Sequence, residues 1–205
     1  MIQVVLATRN QGKIKELQAL LAGHAVEVLG LDRFPGIGEI EETGDTFEEN
    51  ARIKAQAVSR ITGRIALADD SGIEVDALAG APGVRSARYS GENATDRTNN
   101  DKLLQALEGL PPERRTCRFV SVVVAHAPHS EGGRELVARG VWEGVVGLAP
   151  KGEGGFGYDP LFIDAELGRT AAELTREEKN ARSHRGKALR KLLAAWDGFA
   201  GQGAL

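Results

Sequence analysis

The sequence predicts a mixed α/β fold with helices on both faces of a long sheet, and three observations carry that prediction. Short β-branched runs alternate with stretches whose apolar residues recur at helical spacing. Two longer apolar runs late in the chain have the composition of paired strands. No stretch rich in Pro, Gly or Ser is long enough to separate independent domains, so residues 1–205 read as one domain.

Residues 2–7 (IQVVLA) predict a buried strand. "TRNQGK" interrupts the run before Ile14, Leu17, Leu20 and Leu21 recur at helical spacing. Residues 25–30 (AVEVLG) alternate as a second strand, and "FPGIGEIEETGD" follows as a turn-rich acidic loop. Thr46 with Glu49 makes a capping box, opening a helix that sets Phe47, Ala51, Ala55, Val58 and Ile61 on one face, with Asn50 and Lys54 together beside it. "IALA" at 65–68 predicts a strand that "DDSG" ends as a turn, which would put Asp69 and Asp70 at its carboxyl end.

Thr95 opens a helix carrying Leu103, Leu104 and Leu107. "CRFVSVVVAHA" and "ELVARGVWEGVVG" read as an antiparallel hairpin closed by the polar loop "PHSEGGR". "KGEGGFGYDP" is glycine-dense. Thr175 with Glu178 is a second capping box, before a basic helix that ends near Trp196, and residues 198–205 read as a frayed tail.

Composition narrows the chemistry. A net charge of −3 supplies no basic field for a nucleic-acid backbone, so an anionic ligand must be held locally. Cys117 stands alone, which excludes an internal disulfide and a cysteine-based zinc site and predicts a reducing compartment. The apolar start is too short for a membrane span and lacks the flanks of a signal peptide, so a cytoplasmic protein with no membrane partner is expected.

Four segments carry candidate chemistry. "TRNQGK" sits at a strand–loop–helix junction, where backbone N–H groups and Lys13 suit a phosphate, although it lacks the P-loop spacing; a polar turn capping a helix is the plainer reading. Asp69 and Asp70 enter one site only if the chain turns between them, since successive strand residues face opposite ways. Carboxylates including Glu41 and Glu42, with phosphates and without clustered Cys or His, suit magnesium. "GGFGYDP" offers Phe156 or Tyr158 as an aromatic face for a base, or else two core aromatics in a turn. His184 and Arg185 at a helix start are candidate donors to a base carbonyl, while His24, His126 and His129 show no ligand spacing.

Five motifs in order, "TRNQGK", "EETGDTFEENARIKA", "ADDSGIEVDALAGAPGVRSARYSG", "GGFGYDPLF" and "TAAELTREEKNARSHRG", resemble the inosine triphosphate pyrophosphatase family from Val4 to about Trp196. The resemblance implies two α/β lobes around a long mixed sheet with the active site in the cleft between them, and a homodimer. It implies hydrolysis of noncanonical purine nucleoside triphosphates (ITP, dITP, XTP) to monophosphate and pyrophosphate, clearing them from the nucleotide pool. By motif, Thr8, Arg9, Asn10, Gln11, Gly12 and Lys13 correspond to the triphosphate loop, with Lys54 a further phosphate contact. Glu42 and Asp70 correspond to the Mg2+ site, Asp70 to the proton acceptor with Asp69 in support, and Ser71 to a substrate contact. Phe156, Gly157, Tyr158, Asp159, Lys179, His184 and Arg185 correspond to the base and sugar pocket. Arg9 departs from members with a small residue there, either as an added phosphate contact or as a solvent-facing side chain. Competing readings are a pyrophosphatase for modified pyrimidine nucleotides, a triphosphate sensor without turnover, and, weakest, a nucleic-acid-binding module.

Overall fold

The computed structural model describes residues 2–24, 26–128 and 133–200. Six strands form one sheet in the order β2-β1-β3-β4-β5-β6: β1 (Ile2–Leu6), β2 (Val26–Leu29), β3 (Ile65–Val75), β4 (Thr116–Ala127), β5 (Arg134–Val146) and β6 (Phe162–Asp164). β1 runs parallel to β2, with Ile2 opposite Val26, and parallel to β3, with Leu6 opposite Leu67. β5 and β6 are antiparallel, so the sheet is mixed. The helices are α1 (Gln11–Leu21), α2 (Phe47–Thr62), α3 (Asp96–Ala106), α4 (Arg176–Arg182), α5 (His184–Ala194) and α6 (Trp196–Ala200). Among the described residues no helix is long and apolar enough to cross a membrane.

The chain divides into two compact units. Unit 1 comprises 1–70, 121–140 and 185–205, and its core gathers Val4, Leu6, Leu17, Leu67, Val123, Leu189 and Trp196. Unit 2 comprises 71–120 and 141–184, centred on Ile73, Leu103, Phe119, Trp142, Tyr158 and Phe162.

Local signals place the helices. The Thr46 hydroxyl accepts from the Glu49 amide at 3.1 Å and the Glu49 carboxylate accepts from the Thr46 amide at 3.1 Å, the reciprocal box that starts α2. Thr95 and Thr175 cap α3 and α4 in the same way.

Four expectations need correction. "DDSG" is no turn: β3 runs on through it to Val75 with both acids buried. Its glycine is there for close approach, because a Cβ on Gly72 would lie 2.3 Å from the Ser86 hydroxyl, which accepts from the Ile73 amide. Ile61 falls in the last turn of α2 and is 62% exposed. Ser59 takes the buried place in the last turn and donates to the Arg64 carbonyl at 2.8 Å. The basic helix after Thr175 is two helices, broken where Ser183 is extended (φ −62°, ψ 153°). Residues 198–200 belong to α6 rather than a tail, because Phe199 is buried against Trp196 at a ring separation of 5.6 Å; residues 201–205 lie outside the described residues. β4 and β5 are sheet neighbours as the hairpin reading requires, while most of its loop lies outside the described residues.

Candidate active site

The junction between β1 and α1 puts a helix N-terminus where "TRNQGK" predicts an anion cradle. Asn10 is the N-cap: its side chain accepts from the Lys13 amide at 3.1 Å, and the Thr8 hydroxyl accepts from the Asn10 amide at 3.2 Å. Gln11, Gly12 and Lys13 form the first turn, which carries no acidic residue to compete with an anion for the positive end of the helix. Arg9 is exposed, as the solvent-facing reading requires. Its guanidinium donates to the Ile37 carbonyl at 2.5 Å and so ties the phosphate loop to the acidic segment at 34–46.

Because β3 is extended through both acids, Asp69 and Asp70 face different partners. The Asp69 carboxylate meets Lys13 at 2.9 Å and Arg185 at 3.3 Å and accepts the Ser121 hydroxyl at 2.5 Å. Burial opposes its charge, but Arg185, Lys13 and the Ser121 hydrogen bond outweigh that penalty and hold the carboxyl well below the usual carboxylate range. Asp70 meets Lys54 at 2.9 Å through one oxygen, while its buried Oδ2 has no hydrogen-bond partner among the described residues. Burial pushes the Asp70 carboxyl up; Lys54 and Lys13 pull against it, Glu42 adds to it, and the net direction is upward. Two adjacent acids are thus driven apart, one locked as an anion and one eased toward proton exchange.

The acidic segment reaches the same place through α2. Lys54, 8% exposed, donates to Glu42 at 2.9 Å, to Asp70 at 2.9 Å and to the Asp69 carbonyl at 3.2 Å. Burial opposes its charge, but Asp70 and Glu42 reverse that and raise its pKa. Fully buried Asn50 accepts from the Gly44 amide at 2.8 Å and so anchors the segment two residues after Glu42. Glu42 is half-buried and turned inward, whereas Glu41 is exposed. Among the described residues no three Asp, Glu, His or Cys side chains gather around a metal position. Two carboxylates, Glu42 and Asp70, each 2.9 Å from the Lys54 ammonium, fit an ion that takes one or two carboxylates and completes its shell with phosphate oxygens and water, which is the habit of Mg2+.

Within unit 2, the Asp159 carboxylate accepts from the Phe156 amide at 2.8 Å and pairs with Lys179 at 2.7 Å. The Lys179 ammonium lies 5.2 Å from the centre of the half-buried Phe156 ring, a cation–π arrangement. Asp96 and Asn100 of α3 hold the amide and carbonyl of Gly157 at 2.7 and 2.9 Å. Tyr158 is a core residue whose hydroxyl donates to the Ser86 carbonyl, so of the two aromatics only Phe156 offers a face. His184 is buried and stacks on Phe119 at 4.8 Å. Ser71, the first residue of unit 2, is partly buried on β3.

Gly155 tests how closely this loop is built. Its φ is +77°, and a Cβ would fall 2.0 Å from the Asp159 carboxylate. Gly155→Ala is expected to cost at least about 1–2 kcal/mol from the backbone alone, lowering Tm by roughly 2–8 °C in a thermal melt. An unchanged Tm would refute the close packing of Gly155 on Asp159.

Arg185 is placed in unit 1 rather than with the base-pocket residues. One terminal nitrogen pairs with Glu16 and the other with Asp69. Glu16 and Ser121 are contributors that sequence reasoning misses, while Asn50 is placed beside Lys54 by its spacing but given no role. Glu16 lies on α1 one turn after Lys13, its one local signal.

Residues 4–195 match the family described as the Ham1 family. A protein of Nitratidesulfovibrio vulgaris called dITP/XTP pyrophosphatase is 57% identical over 202 residues, covering 96% of each chain. One of the same name from Pectobacterium atrosepticum is 52% identical over 95% of this chain and 98% of its own. The structure of a HAM1 protein from Coxiella burnetii superposes with a TM-score of 0.87 at 44% identity, covering 97% of this chain and all of that one.

Proposed function

The chain belongs to the Ham1 family, and from that premise we propose a nucleoside-triphosphate pyrophosphatase that hydrolyses noncanonical purine nucleotides (ITP, dITP, XTP) to the nucleoside monophosphate and pyrophosphate. The observation that carries the mechanism is Asp70, a buried carboxylate with one free oxygen and a pKa displaced upward, within the electrostatic reach of Lys54 and Lys13. Asp70 Oδ2 accepts a proton from water as the water oxygen bonds to the α-phosphorus, and the bond from that phosphorus to the bridging oxygen breaks with pyrophosphate as leaving group. The α1 N-terminus, Lys13 and Lys54 stabilise charge on the triphosphate as it passes to the leaving group. Glu42 and Asp70 would hold Mg2+, which would supply charge neutralisation on the phosphate oxygens. Asp69 keeps Lys13 in place.

Base choice falls to Phe156, which stacks, and to donors among Lys179, His184 and Arg185. A C6 carbonyl in hypoxanthine or xanthine accepts from such a donor, while the C6 amine of adenine opposes it; an unmatched buried donor costs about 1–3 kcal/mol. Homodimerisation and a cytoplasmic location complete the reading, tested by light scattering on the purified chain and by cell fractionation.

The deciding experiment follows products from ITP, XTP, ATP and GTP with Mg2+. Monophosphate and pyrophosphate are expected from the first two and little from the others. Binding without turnover would make the protein a sensor, and equal turnover of all four would retain the phosphate chemistry while removing the account of base choice.

A further inference from the structure

Outside the residues assigned above, unit 2 holds a buried, heavily hydrogen-bonded carboxylate at the end of β6. Asp164 is 2% exposed. Its Oδ2 accepts from the Trp142 indole at 2.7 Å and from Arg182 Nε at 2.8 Å, and its Oδ1 accepts from the amides of Glu166 and Leu167 at 2.9 and 2.8 Å. A second guanidinium contact from Arg182 reaches Oδ1 at 3.3 Å. Burial opposes the charge, but Arg182, the two amides and Trp142 overcome it, so Asp164 stays ionised.

Two of these contacts converge on one residue. Arg182 ends α4, and one extended residue, Ser183, separates it from His184 at the start of α5. Trp142 lies 6.5 Å from the His184 ring at 22° and packs on Phe162, while Phe119 stacks on the other aromatics and on His184 itself. One arm runs through the backbone from Arg182, and the other runs through the aromatic stack from Trp142. We infer that Asp164 is a positioning residue for His184, and through it sets recognition of the purine base, an inference that rests on the function proposed above. The break between α4 and α5 carries His184, and a charged anchor that grips both the helix end and the stacked indole fixes the ring's place before substrate arrives.

Asp164→Asn is the sharpest variant, because either amide orientation sets an N–H against donors: Trp142 and Arg182 on one side, two backbone amides on the other. The expected result is a KM for ITP raised about tenfold with kcat within about twofold, since orientation is lost and the reacting groups are not. Inhibition by inorganic tripolyphosphate, which reports the phosphate-binding residues of unit 1, is expected to stay at the wild-type constant. A wild-type KM for ITP in folded Asp164→Asn, or equal weakening of ITP and tripolyphosphate, overturns the inference. Should Asp164→Asn not fold, Trp142→Phe, which keeps a ring and removes the indole donor, and Arg182→Gln cut the two arms separately. Each is expected to raise KM about threefold, and wild-type KM in both overturns the inference equally. His184→Asn separates the two claims. If its KM is raised while that of Asp164→Asn is not, the proposed base site stands and only the role of Asp164 falls; if His184→Asn has a wild-type KM, His184 leaves base recognition and the Asp164 inference goes with it.

Discussion

Asp70→Asn is expected to lower kcat by about 10²- to 10⁴-fold with KM for ITP nearly unchanged, the signature of a group needed in the transition state more than for binding. Asparagine keeps the volume and one acceptor for Lys54, so the neighbouring ion pairs with Glu42 and Asp69 stay in place. What is lost is the carboxylate oxygen that has no other partner. The pH profile gives an independent check. Burial raises the Asp70 pKa, and a general base works only when ionised, so wild-type kcat/KM falls as pH drops through that raised value. The residual rate of Asp70→Asn is expected to lack that acid limb. A variant that keeps the limb assigns it to another group, and one with a near-normal rate removes Asp70 from proton transfer.

The separation between these acids explains which parts of the site the sequence announces. Signals confined to a few residues are legible: Thr46 with Glu49 and Thr175 with Glu178 form the boxes they predict, and the junction at Asn10 is the helix start it resembles. "DDSG" misleads because Asp, Ser and Gly are turn chemistry in any local view. The cations that make two buried acids tolerable inside β3 come from Lys13, Lys54 and Arg185, the last of them 116 residues away. The same distance hides Glu16 as the partner of Arg185 and Ser121 as the partner of Asp69. The break at Ser183 has no Gly or Pro to mark it, and Thr175 caps only the shorter of the two helices. Ile61 fails for a simpler reason: it keeps the helical spacing but falls in the last turn of α2, where it is 62% exposed.

Asp69→Ala is expected to be mainly a stability mutation, in contrast with its neighbour. The carboxylate is fully buried between Lys13 and Arg185, and Arg185 is itself only 2% exposed. Removing one partner of a buried ion pair leaves the other charge short of compensation, at a cost of about 3–5 kcal/mol, which for a chain of this size lowers Tm by roughly 6–20 °C. Glu16 remains for Arg185, which places the effect toward the lower end; Asp69→Asn, able to accept from Ser121 still, is expected to lose less. The pH dependence fixes the assignment. A carboxyl whose folded pKa lies below its unfolded value of about 3.9 contributes stability in full above that value and loses it as pH falls toward the folded pKa. Wild-type and Asp69→Ala melting temperatures are therefore expected to differ most at neutral pH and to draw together below about pH 4. A gap that stays constant with pH would mean that lost packing, and not the buried charge, sets the cost. Lys13, deprived of its partner at 2.9 Å, also loses the contact that keeps it beside the phosphate loop, so residual activity at a permissive temperature is expected to show a raised KM for ITP. The same two carboxylates thus answer to different measurements: Asp70 to the rate at fixed stability, Asp69 to stability and to the placement of the lysine on which that rate depends.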